Sequence, residues 1–145
     1  MLKKVRIKQM TTVFLLLLFI ALGIIIVFYF SWISSPRFEY NYFVPKRIAV
    51  WADQHANDNL RTAVPFSFIG ITLSCFLLIK KYALKIWGVA WIAIVFIVFV
   101  AEIGQLKLPL RSFDWKDVYW GAIGSLLPML FMYIIAFWYK NRIKI

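Results

Sequence analysis

The chain has 145 residues, 63% of them hydrophobic, with 17 Lys and Arg against 6 Asp and Glu and a formal net charge of +11. A mean hydropathy of +0.81 would leave a soluble protein of this length with more apolar side chains than it could bury, which excludes a water-soluble globule. A single cysteine, Cys75, and a single histidine, His55, exclude an intrachain disulfide, a Cys/His metal cluster and the common zinc sites.

Four stretches read as membrane spans. Val13 to Ile33 is 21 residues without a charge, close to the roughly 20 needed to cross a hydrocarbon core about 30 Å thick. Lys3, Lys4, Arg6 and Lys8 precede it in the manner of a secretory signal. The apolar run is too long for one, however, and only Ser34-Ser35-Pro36-Arg37 follows, so the sequence predicts an uncleaved anchor. Ala63 to Ile79 is 17 residues, enough at about 1.5 Å per residue to cover roughly 26 Å. Lys85 to Ala101 and Val118 to Tyr139 complete a predicted all-α bundle of four transmembrane helices forming one domain over residues 1–145. Tyr29, Trp32, Tyr82, Trp87, Trp115, Trp120, Trp138 and Tyr139 lie near the span ends, where aromatic rings anchor at the interface.

The charges are sorted between the connecting segments. Residues 1–9, 80–85 and 140–145 carry ten Lys and Arg and no acid, whereas residues 34–61 and 102–117 carry seven bases and all six acids. The positive-inside rule therefore predicts both termini and the Lys80-Lys81 turn in the cytoplasm and the two longer loops outside. The excess charge sits on short juxtamembrane segments, which points to anionic lipid headgroups as partners and away from nucleic acid.

In the first long loop Ile48, Trp51, Ala52 and His55 recur at helical spacing after Pro45, which predicts a short amphipathic helix on the outer membrane surface, either a lid over the bundle or a space-filling element. Asn57-Asp58-Asn59 reads as the turn into span two. A Ser-His-Asp arrangement of His55 with Asp53 or Asp58 and Ser34, Ser35 or Ser67 is formally available, but nothing like a nucleophile elbow accompanies it. With no phosphate-binding Gly-rich loop either, neither a cofactor nor a catalytic residue is assigned.

The second long loop organises the remaining polar residues. Glu102 and Gln105 share a face at the end of span three; Pro109 stops that helix or lies just beyond it. Ser112 or Asp114 can cap span four, and Asp114, Asp117, Gly121 and Gly124 follow along one stripe of it. The short connection predicts that Glu102 and Gln105 meet Asp114 and Asp117 across an antiparallel hairpin, with Arg111 between them. Two readings remain open. Arg111 can hold a carboxylate with paired hydrogen bonds, and Gly121 and Gly124 let a neighbouring helix approach, so the cluster can be a structural clasp. Ionisable groups at membrane depth are equally candidates for a ligand site.

Glu102-x-x-Gln105, then Arg111, then Asp114-x-x-Asp117 opening the next span, followed by Gly124, resembles the VanZ-like family of small bacterial integral membrane proteins. The family usually has Asn where this chain has Gly121, and many members carry an Asp-Lys-x-x-His element where this chain has Asp58-Asn59-Leu60-Arg61-Thr62. The resemblance implies a protein of the bacterial cytoplasmic membrane, in a family named for a member associated with teicoplanin resistance. Two functions follow as expectations. In one, Glu102, Gln105, Arg111, Asp114 and Asp117 form an outward-facing pocket between spans three and four for a lipid headgroup, a lipid-linked cell-wall precursor or a glycopeptide. In the other, the chain is a noncatalytic accessory subunit. An enzyme would need a nucleophile or metal that the sequence does not supply. The rich apolar surface permits dimerisation without requiring it.

Overall fold

The computed structural model describes residues 2–35 and 37–142, with side chains from Ile7 onward. Pro36, residues 143–145 and the side chains of Lys3, Lys4 and Arg6 lie outside the described residues. Among the described residues the fold is all helical: α1 (Leu2–Ser31), α2 (Lys46–Ala52), α3 (Asp58–Ile79), α4 (Leu84–Gln105) and α5 (Trp115–Arg142), with 3-10 turns at Phe38–Tyr40 and His55–Asn57. Four segments are long and apolar enough to cross a membrane, namely Ile7–Ser31, His55–Ile79, Leu84–Gln105 and Trp115–Arg142. The chain is thus a multi-pass membrane bundle with the short helix α2 between its first two spans. Helices are the natural solution, because hydrocarbon offers no partner for an unpaired backbone N–H or C=O.

The helices begin and end beyond their apolar runs. Asp58 and Asn59, expected in a turn, form the first turn of α3, where an acidic side chain gains from the exposed amides. Likewise α4 continues through Glu102 to Gln105. An apolar window finds the part of a helix that needs lipid, and a helix with polar ends extends past it.

Helices α3 and α5 make the closest contact. Thr62 meets Asp117, Ala63 meets Gly124, and Gly70 meets Ser125 and Pro128. The pairs advance in one direction along both helices, so α3 and α5 run parallel. Helix α4 runs antiparallel to α5, with Trp91 Nε1 donating to Ala122 O at 3.1 Å and Glu102 lying opposite Asp114.

Small residues allow the parallel contact. A Cβ added at Gly124 would strike the carbonyl oxygen of Ala63 and lie 2.8 Å from its Cα; one added at Gly70 would lie 2.6 Å from Ser125 O. Close approach of this kind replaces the hydrophobic driving force that helices lack in lipid. Pro128, inside the continuous helix α5, has no N–H to offer the carbonyl of Gly124 four residues back. The hydroxyl of Ser67 on α3 supplies the missing donor, 2.8 Å from Gly124 O and 2.9 Å from Ala63 O.

Helix α1 is the least buried span. Its most apolar window is 6% buried, against 33% for that of α3. Its firm attachments lie near its C-terminal end, where Trp32 Nε1 donates to Ala101 O at 3.1 Å with the indole lying over Gly104.

The surface helix departs from its expected form. It ends at Ala52 and turns Ala49 and Ala52 toward the protein, leaving Ile48 and Trp51 exposed. The carboxylate of Asp53, one residue on, accepts from Phe38 N at 2.9 Å and Glu39 N at 3.0 Å, and this side-chain acceptor for the preceding segment marks where α2 stops. His55 therefore does not share a face with Trp51. It sits in the following turn, exposed, with Nδ1 2.9 Å from Asp58 Oδ2. Of the formal Ser-His-Asp candidates, Asp53 is occupied by backbone amides and Ser67 is turned into the α3–α5 contact, so His55 pairs with Asp58 instead.

Candidate functional site

The last turn of α4 carries Glu102 and Gln105, three residues apart and both buried. Gln105 Nε2 donates to Glu102 Oε1 at 2.7 Å, and the other carboxylate oxygen accepts from Asp114 N at 3.4 Å. Asp114 caps α5. Its Oδ1 accepts from Lys116 N at 2.8 Å, and its carbonyl accepts from Asp117 N at 3.2 Å. The two ends of the α4–α5 hairpin thus meet through a carboxylate and a backbone amide.

Arg111 takes a different partner from the one its spacing suggests. Its guanidinium donates to Phe30 O at 3.2 Å, Ser35 O at 3.1 Å and Ile33 O at 3.4 Å. Among the described residues no ion pair joins it to Glu102, Asp114 or Asp117. The reason lies at the end of α1, where Phe30 O in the last turn has no intrahelical donor and carries the negative end of the helix dipole, and where the chain beyond Ser31 presents Ile33 O and Ser35 O to the same guanidinium. Burial, and then the like charge of Arg61, pull the Arg111 guanidinium below its ordinary value, opposed by Glu102 and Asp117. It stays a cation at neutral pH.

Helix α3 completes the cluster with two residues that spacing in the second loop could not reveal. Thr62 Oγ1 donates to Asp117 Oδ1 at 2.8 Å. Arg61, one residue earlier, holds its guanidinium 5.6 Å from the centre of the Phe38 ring. The available signal was the pair of polar residues immediately before the apolar run of span two.

These side chains surround a cavity of about 110 Å³. Glu102, Gln105, Asp117, Arg61, Thr62 and Arg111 form its polar walls; Val98, Ala101, Pro65 and Phe66 lie deeper, and Ile26, Val27 and Phe30 of α1 close one side. The pocket therefore involves all four long helices and not only the α4–α5 hairpin. A wider polar depression of about 410 Å³ adjoins it, lined by His55, Asp58, Asn59, Ser112, Asp114 and Lys116 among others. Arg61, Gln105, Arg111 and Asp117 line both spaces. The inner chamber falls below the roughly 300–1,000 Å³ of drug-sized pockets. It has room for several waters or one small polar group, and the outer depression would hold anything larger.

Gly124 holds α5 against Ala63, next to Thr62. Gly121 sits where an added Cβ would lie 2.8 Å from Val98 Cγ1 and 3.1 Å from Phe66 Cδ2. Those two apolar side chains fill the space that an Asn at this position would need. Chemically, the arrangement offers two desolvated carboxylates as acceptors and two arginines at the junction of chamber and depression. Compared with protein families, with curated proteins and with solved structures, the chain matches none.

Proposed function

We propose that this end of the bundle faces outward from a bacterial cytoplasmic membrane, with both termini in the cytoplasm, and that its cavity binds the headgroup of a membrane amphiphile. In this reading the chain is VanZ-like, and the amphiphile is a lipid-linked cell-wall precursor or a glycopeptide of the teicoplanin class. The carrying observation is the two-part cavity. The buried carboxylate of Glu102 and the half-buried one of Asp117 can accept from hydroxyl or ammonium groups; Arg61 and Arg111 at the junction, with Lys116 in the depression, suit a phosphate or carboxylate. The apolar inner wall borders α1 and hence lipid. Glu102→Gln preserves shape and removes the charge. In a host whose teicoplanin tolerance depends on this protein, the variant is expected to accumulate normally and lose the tolerance. Full tolerance in Glu102→Gln would overturn the proposal.

A second reading has its own observation. Among the described residues every buried side-chain nitrogen and oxygen has a partner, as expected of a noncatalytic accessory subunit whose polar cluster only fastens helices together. Thermal unfolding in detergent separates the two. A fastener predicts that Glu102→Gln lowers Tm regardless of added amphiphile. A binding site predicts that it removes the amphiphile-induced rise in Tm.

A further inference from the structure

At the opposite end of the bundle, the α3–α4 turn and the C-terminal part of α5 enclose a second cavity, of about 580 Å³. It is larger than the chamber around Glu102, and its walls combine two chemistries. Lys81 and Lys140 supply the charge, Tyr82, Trp87 and Tyr133 an aromatic wall, and Leu84 and Phe137 are among its apolar residues. Its lining contains no acid. Lys80 and Lys85 flank it in sequence, so its field is uniformly positive.

The backbone at Lys81 gives an independent reason to regard this end as built for charge. Helix α3 ends in a Schellman arrangement, with Lys81 N donating to Leu78 O at 3.0 Å and Tyr82 N to Leu77 O at 3.1 Å. The residue in the left-handed position of that cap is Lys81, at φ 54°. Glycine is the usual occupant, because a Cβ is strained in this conformation. A lysine held there keeps an ammonium beside the cavity at the expense of an easier cap.

We propose that this cavity is a specific site for one anionic phospholipid of the leaflet on the side of the chain termini, with its phosphate held by Lys81 and Lys140 and its acyl chains running along Leu84 and Phe137. The aromatic wall formed by Trp87, which is buried, and Tyr133, 5.3 Å away ring to ring, gives the glycerol region a rigid surface. Charge complementarity fixes the class of occupant. A zwitterionic lipid would leave its cationic group among lysines, whereas an anionic one brings no like charge into the site. The inference concerns the opposite end of the bundle from the Glu102 cavity and stands independently of the function proposed for it.

The test uses the purified full chain in detergent, with phosphatidylglycerol or phosphatidylcholine added and Tm followed. Wild type is expected to gain several degrees with phosphatidylglycerol and much less with phosphatidylcholine. Lys81→Gly removes the ammonium and relaxes the cap, so it should melt at or above wild type without lipid and yet require about tenfold more phosphatidylglycerol for the same gain. Lys140→Gln should weaken the response similarly, and Lys46→Gln, on α2 and outside the lining, should leave it intact. Equal gains from the two lipids, or an undiminished response in both Lys81→Gly and Lys140→Gln, would overturn the proposal. The second result would place the lipid elsewhere on the bundle.

Discussion

The contact between Ser67 and Gly124 can be tested by restoring the donor that Pro128 lacks. With no N–H at residue 128, the carbonyl of Gly124 relies on the Ser67 hydroxyl 2.8 Å away across the α3–α5 contact. Ser67→Ala removes the side-chain donor that reaches that carbonyl across the contact. The expected cost is about 1–3 kcal/mol, the range for an unsatisfied buried acceptor. It should exceed the roughly 0.6 kcal/mol average of transmembrane side-chain hydrogen bonds, whose broken partners usually find replacements. Pro128→Ala returns an N–H to the ladder, so in that background Ser67→Ala should cost about 0.5 kcal/mol or less, and the double-mutant cycle should yield a coupling of about 1–2 kcal/mol. Pro128→Ala alone also removes ring packing against Gly70, which is why the coupling and not the single effect carries the test. Reversible unfolding of the four proteins by SDS titration in mixed micelles measures it. Equal costs for Ser67→Ala in both backgrounds would refute the reasoning.

The glycine contacts make a paired prediction. Gly124→Ala drives a Cβ into the backbone of Ala63, which has no rotamer to yield, so destabilisation of about 1–3 kcal/mol is expected; Gly88→Ala, with nothing within 4 Å of the added atom, should be neutral or slightly stabilising in the same titration. Thr62→Val removes the donor to Asp117 and should cost about 1.5–3 kcal/mol as a bond to a charged group. Thr62→Ser, which keeps the hydroxyl, should recover most of that loss.

Much of the architecture was legible because charge-free runs of helical length admit few interpretations in a chain this apolar. The facing of Glu102 and Gln105 was legible for a similar reason, since a spacing of three on a helix fixes their geometry. Contacts between elements distant in sequence were not. The pairing of α3 with α5 is written in Ala63, Ser67 and Gly70 on one helix and Gly121, Gly124 and Ser125 on the other, but a list of small residues does not say which helix meets which. Arg111 shows a deeper limit. Its side chain was expected among carboxylates, yet its partners are the carbonyls of Phe30, Ile33 and Ser35, and a backbone acceptor has no signature in residue identity. The surface helix stopped short of His55 because the Asp53 carboxylate meets the backbone of the preceding turn, a tertiary contact that periodicity does not register.

The position of Arg111 makes α1 the part of the site most open to movement. Ile26, Val27 and Phe30 close one wall of the inner chamber, yet α1 is the least buried span, and its attachments at this end are the guanidinium bonds and the Trp32 indole over Gly104. If an amphiphile enters from lipid, the passage runs beside α1, and weakening those attachments should widen it. In a Cys75→Ala background, a cysteine at Val27, the buried α1 residue of that wall, can report this through its rate of modification by a membrane-permeant maleimide. Arg111→Ala removes the donor to Phe30 O in the last turn of α1 and to Ile33 O and Ser35 O just beyond it. With charge-assisted hydrogen bonds contributing about 1.5–3 kcal/mol in total, the open population, and with it the labelling rate, should rise by roughly ten- to a hundredfold if modification is limited by opening. Gly104→Ala, which displaces the Trp32 indole, should act in the same direction. A cysteine at Phe68, already exposed on α3, should label at the same rate in every background. Unchanged labelling at residue 27 in both variants would mean that α1 is held by its apolar face after all, and entry beside it would have to be abandoned.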